Sequence, residues 1–153
     1  MPMSEYYHSL RAKVGSDLIF MPCVAAIIRN ELNEILYQYP GDGEFWSLIA
    51  GAIEPGESPA EALIREVWEE TGLIVKPLYL IGVFGGEEFR FQYSNGHKVE
   101  YNVFVFECKV IGGSLFPIDG ESAKINLSWH CLILNIFLRV KLIRYIFNGK
   151  KIG

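Results

Sequence analysis

The residues best equipped for chemistry in this chain are acids set close together: Glu57, then Glu66, Glu69 and Glu70, with Arg65 among them. They lie in the stretch Gly51–Leu73, GAIEPGESPAEALIREVWEETGL. At about 100° per residue, Glu66, Glu69 and Glu70 fall in one helix sector roughly 100° wide. Carboxylates gathered this way repel one another unless cations sit among them. An all-oxygen ligand set suits a hard divalent ion, Mg2+ or Mn2+. A run of charge is more often a plain solvated helix face, so the rest of the stretch has to decide between the two readings.

The elements that must position these acids can be read around them. Ser58 is a good N-cap, Pro59 suits the first helical position, and Glu61, three residues past the cap, completes a capping box. Gly72 supplies a stop, so the spacing predicts a helix over Pro59–Thr71. Ala60, Leu63, Ile64 and Val67 occupy a sector apart from the acids and are expected to face the core.

The whole stretch resembles the Nudix box, G-x5-E-x7-R-E-U-x-E-E-x-G-U with U apolar. Gly51, Glu57, Arg65, Glu66, Val67, Glu69, Glu70, Gly72 and Leu73 fill every defined place. Resemblance to the Nudix hydrolase (MutT-like) family implies an α/β/α sandwich around a mixed β-sheet. It also implies Mg2+-dependent hydrolysis of a pyrophosphate linkage in a nucleoside diphosphate derivative, such as an NTP, ADP-ribose or another nucleotide sugar. Mn2+ would be a substitute metal. The same resemblance gives Glu66, Glu69 and Glu70 to the metals, with the Gly51 carbonyl and Glu57 as further ligands. Arg65 would orient Glu57 through a charge-assisted bond.

The general base is open between a box glutamate and an acid on a later loop, where Glu121 in Asp119-Gly120-Glu121-Ser122 is the candidate. Two rival functions stand beside hydrolysis of a small nucleotide. One is a catalytically silent nucleotide sensor, against which the intact glutamates count. The other is an RNA cap hydrolase, for which the acidic main body offers no basic track. Ile49 stands where many family members carry a proline, and Glu88 where relatives acting on nucleotide sugars carry one, so the sequence leaves the substrate open.

Composition supports one domain. A chain of 153 residues, half of them apolar and 14% aromatic, can bury a real core, and 1–153 reads as a single unit. A net charge of −4 suggests no DNA partner. Cys23, Cys108 and Cys131 have no pairing pattern, which favours a reducing, cytoplasmic setting over a disulfide framework or a zinc site. Met1–Lys13 is polar and lacks an apolar run of sufficient length, so no signal peptide is expected there.

Along the chain, Ser4–Val14 within the lead-in 1–17 reads as a short polar helix. Leu18–Ile28, Glu34–Tyr39, Phe45–Ala50, Leu73–Phe84, Glu88–Tyr93, Lys98–Val110 and Lys124–Trp129 read as strands. Leu73–Phe84 is expected to be interrupted at Pro77, and Asn95-Gly96 to form a two-residue hairpin turn. Trp46 and Trp68 are expected to pack. Phe84, Phe89, Phe91 and Tyr93 read as core by strand alternation, with base stacking as the alternative.

The end, 130–153, is atypical. Beyond Glu121 come six basic residues and no acid, and His130–Phe147 reads as a helix. Its apolar run Cys131–Leu138 is too short to span a bilayer, which leaves packing on the domain or in a homodimer. Read one base earlier, codons for His130–Asn135 also permit Ala-Leu-Pro-Tyr-Pro-Glu, which is similar to the acidic, proline-containing ends of family members. The gene's nucleotide sequence decides between the two frames.

Overall fold

A computed structural model describes residues 4–39, 47–115, 126–130 and 150–151 of the chain. Its elements in order are α1 (Glu5–Val14), β1 (Ile19–Ile28), β2 (Ile35–Tyr39), β3 (Ser47–Ala52), α2 (Pro59–Thr71) and β4 (Leu73–Phe84). A 3-10 turn, Glu87–Phe89, then leads to β5 (Arg90–Gln92), β6 (Lys98–Gly113), β7 (Asn126–His130) and β8 (Lys150–Lys151). The strands join one mixed sheet in the order β7-β2-β3-β1-β6-β5-β8, with β4 also paired to β6. β1 runs parallel to β6 from Ile19↔Val99 to Ile28↔Cys108, and the other pairings are antiparallel.

β1 is apolar on both faces because both are covered. Cys23, Ala25 and Ile27 enter one core with Tyr7 of α1, Leu48 and Val103, while Val24, Ala26 and Ile28 enter the other with Ala62, Leu63 and Val67 of α2. Side chains alternate faces along a strand, so one continuous apolar run serves two helix layers. The mixed sheet with a helix on each face is the α/β arrangement the sequence implies.

Helix α2 has the expected bounds for the expected reasons. Ser58 Oγ accepts from the Glu61 amide at 3.2 Å, Glu61 returns the bond to the Ser58 amide at 2.7 Å, and Gly72 caps the far end. Its buried face differs from the expected one. Ala62 is buried and Ile64 is exposed, while Glu66 and Glu70 lie on the core side with Leu63 and Val67. The inward stripe runs through 62, 63, 66, 67, 70 and 71, a shift that hydrophobicity alone does not reveal because two of its members are acids. Trp68, expected to pack, is 44% exposed. Trp46 lies outside the described residues.

Three further differences are local. β4 continues through Pro77, absorbing it with register shifts between Ile74/Val75, Pro77/Tyr79 and Leu80/Gly82. Such irregularities are tolerated in a strand of this kind, where proline's missing amide is not needed by a second neighbour. Glu88 belongs to the 3-10 turn rather than to a strand. The hairpin between β5 and β6 has a three-residue loop. Tyr93 O accepts from Gly96 N and Tyr93 N donates to His97 O, both at 2.9 Å, with Gly96 at φ +86°. Asn95 has negative φ, so the turn is followed by a glycine bulge instead of the two-residue form. Phe89 and Phe91 are buried in the core, with Phe84 and Tyr93 partly buried against that core, which favours core over base stacking.

The shifted inward face of α2 can be tested directly. Leu63→Ala is expected to cost about 2–5 kcal/mol of stability and Ile64→Ala less than about 1 kcal/mol, read as midpoints of urea unfolding. Equal losses would contradict the assigned face.

Candidate active site

The site is built where β3 runs into the loop 53–57 and that loop into α2. Its centre is the Arg65 guanidinium. Nε donates to Glu57 Oε1 at 2.5 Å, and Nη2 to Glu57 Oε2 at 2.9 Å and to the Ala52 carbonyl at 3.1 Å. Nη1 donates to Glu66 Oε1 at 2.7 Å and to Glu69 Oε2 at 3.3 Å. An arginine has five N–H donors in a planar fork, and here every one has an acceptor inside the protein. Arg65 therefore has no donor left for a ligand in this arrangement. Two of its five bonds go to Glu57.

Glu57 is fixed from both sides, because Oε2 also accepts the Glu54 amide at 3.0 Å, and the Glu57 amide donates to Glu54 O at 3.1 Å. The Arg65 hydrogen bond is the main reason that its carboxyl is held below the usual carboxylate range. Arg65 is held further into its charged form, first by Glu57 and then by Glu66.

Glu66 is the opposite case. Only 2% exposed, it is pushed up to about 7 by burial, against the pull of Arg65. Its carboxylate lies directly over Gly51. A Cβ at that glycine would stand 2.1 Å from Glu66 Cδ and within 2.4 Å of both oxygens, so no larger residue fits without displacing the acid. Glu66 Oε2 is buried without a hydrogen-bond partner among the described residues. A buried oxygen in that state is costly unless something else meets it. Glu70, one turn further along the same inward stripe, is 4% exposed.

The structure thus joins Glu57, Arg65, Glu66 and Glu69 in one network, sets Gly51 beneath Glu66, and buries Glu70 beside them. Among the described residues, however, no three His, Cys, Asp or Glu side chains converge at metal-binding distance. The acids are drawn toward the guanidinium rather than toward a common point. In donor chemistry the site still fits a hard cation, since its side-chain ligand atoms are carboxylate oxygens and the unpartnered Glu66 Oε2 is one of them. Glu121 lies outside the described residues, as do Cys131 and the tail. Glu100 and Glu107, acids of β6, pair with Arg90 and, at 2.7 Å, with Arg29. Cys23 and Cys108 are buried free thiols. Nothing in the residue types marks the Ala52 carbonyl as an Arg65 acceptor, because main-chain partners leave no trace there.

A sheet of this order carrying this loop-helix defines the class, and comparison with known proteins places the chain in it. The family model of the NUDIX domain matches residues 20–134, and the chain belongs to that family. It is 34% identical over 111 residues to an 8-oxo-dGDP phosphatase of Mus musculus, covering 70% of this chain and 31% of that protein. It is 33% identical over 68 residues to an RNA pyrophosphohydrolase of Rhizobium meliloti, covering 39% of this chain and 41% of that one. The chain therefore spans less than half the length of either of these two curated relatives. Among solved structures, a NUDIX hydrolase from Nitrosomonas europaea is 29% identical with a TM-score of 0.56, covering 83% of this chain and 80% of that one. No helix among the described residues is long and apolar enough to cross a membrane.

The raised Glu66 carboxyl has a consequence for stability. The folded protein binds this proton more tightly than the unfolded chain, whose value is near 4.5, so the associated stabilisation is complete below that pH and is lost as pH rises through about 7. Metal-free protein is expected to melt at falling temperature between pH 5 and pH 7.5, for a loss on the order of 3 kcal/mol. Glu66→Gln should flatten that slope. An unchanged slope in the variant, followed by calorimetry in chelator, would show that another group is responsible.

Proposed function

We propose that the chain is a divalent-metal-dependent pyrophosphohydrolase acting on a nucleoside diphosphate derivative. The observation that carries this reading is the Glu66 carboxylate, held beneath solvent over a glycine with one oxygen unpartnered among the described residues. Such a group is poorly placed in a purely structural helix face, where an acid gains most from water. Two relatives bear names that point the same way, one an 8-oxo-dGDP phosphatase and one an RNA pyrophosphohydrolase.

Mg2+ or Mn2+ would be held by Glu66, Glu69 and Glu70, with the Gly51 carbonyl and Glu57 as additional oxygen donors. Bound there, it would neutralise phosphate charge and lower the pKa of an attacking water. The chain's own residues supply the rest. Arg65 keeps Glu57 ionised and fixed in orientation. Burial leaves Glu66 near the neutral-pH boundary between its protonated and ionised forms, so it can be drawn into the charged form by a cation. Glu121 is a second candidate for the general base.

A panel of NTPs, ADP-ribose, dinucleoside polyphosphates and CDP-alcohols, assayed with Mg2+ for phosphate or nucleotide release, identifies the substrate class. Glu70→Gln is expected to melt like the parent and to lose most turnover, on the order of 100-fold or more. Near-normal rates in that variant would refute the metal assignment. Nucleotide-induced stabilisation with no turnover on any substrate would instead favour the silent sensor.

A further inference from the structure

α1 reads in sequence as a polar lead-in, yet two of its polar side chains are buried and tied to distant backbone. Arg11 donates from Nη1 to Gly15 O at 3.1 Å and to Asp17 O at 2.7 Å, and from Nη2 to Lys98 O at 3.0 Å. These bonds fix the helix to its own exit turn and to the start of β6. Tyr7, on the next turn toward the N-terminus, packs its ring in the core and donates its hydroxyl to the Ile53 carbonyl at 2.6 Å. Ile53 is further held by its amide, which donates to Pro22 O at 3.0 Å.

Ile53 lies between the two backbone groups that anchor the acidic cluster. Before it, Ala52 O accepts from Arg65; after it, the Glu54 amide donates to Glu57 Oε2. A shift at Ile53 would move both anchors at once. The Tyr7 hydroxyl thus acts on the middle of a three-residue segment whose flanks orient Arg65 and Glu57.

We propose that Tyr7 is a positioning residue for the candidate active site, its hydroxyl holding the 52–54 backbone so that Arg65 and Glu57 keep their alignment. The consequence for metal rests on the function proposed above, whereas the clamp itself does not. Loss of one ordinary hydrogen bond corresponds to about a 5-fold change in an equilibrium.

The test uses the full chain with Tyr7→Phe, which keeps the ring and removes the donor, beside Ile35→Val, a conservative trim of the same core at the start of β2. Two measurements are made: amide hydrogen exchange at Glu54 and Glu57 in chelator, and Mn2+ affinity by titration. Tyr7→Phe is expected to lower protection at both amides about 5-fold and to weaken Mn2+ by a similar factor. Ile35→Val should lower the melting temperature without changing either. Unchanged protection at Glu54 and Glu57 in Tyr7→Phe overturns the inference whatever the metal does. Lowered protection with unchanged Mn2+ affinity overturns its link to the site. A parent protein that binds no Mn2+ counts against the proposed function, and the exchange measurement then decides the clamp alone.

Discussion

The arrangement depends on one guanidinium with all of its donors satisfied. Arg65 meets three carboxylates and a main-chain carbonyl, and so joins the end of β3, the following loop and the second half of α2. A partly buried planar cation with five acceptors has little orientational freedom, and that stiffness passes to whatever it touches. Glu57 is kept ionised, while Glu66, more deeply buried, is left near neutrality. The contrast comes from burial acting against the same cation, which is how one fold keeps carboxyls of different character within a few residues.

The sheet supplies the floor for this cluster. β3 must carry a residue without a side chain at 51 because Glu66 fills the space. α2 can turn its acids inward because Ala62, Leu63 and Val67 on the same stripe seat the helix against β1 and β4. Apolar burial thereby offsets the cost of removing carboxylates from water. This trade is more common at functional sites than in ordinary cores.

Much of this was legible in the residues and some was not. The bounds of α2 follow from Ser58, Pro59, Glu61 and Gly72, whose effects are local. β1 was readable from a long run of apolar, β-branched residues, and β6 from its place after the Asn95-Gly96 turn. The inward turn of Glu66 and Glu70 was not, because a periodicity argument counts every acid as polar. The hairpin loop escaped because one dipeptide, Asn95-Gly96, suits two loop lengths, and the choice depends on strand register. Tyr7 escaped for a different reason: its partner is 46 residues away and is a carbonyl, which any residue type provides. The spacing of the acids pointed to the candidate site, while the bonds that align its residues belong to tertiary structure.

The parallel pairing of β1 with β6 bears on how the molecule is made. Ile19 lies beside Val99 and Ile28 beside Cys108, so the central strand waits for a neighbour synthesised long after it. Closing so large a loop is entropically slow, and contacts of this separation are characteristic of late-forming structure. A nascent chain emerging from the ribosome has β1, β3 and all of α2 before β6 is made, so the sheet beneath α2 still lacks its parallel strand at that point. The caps of the helix are local and already in hand, but the sheet that seats its buried carboxylates is finished only when translation reaches the far side of the molecule.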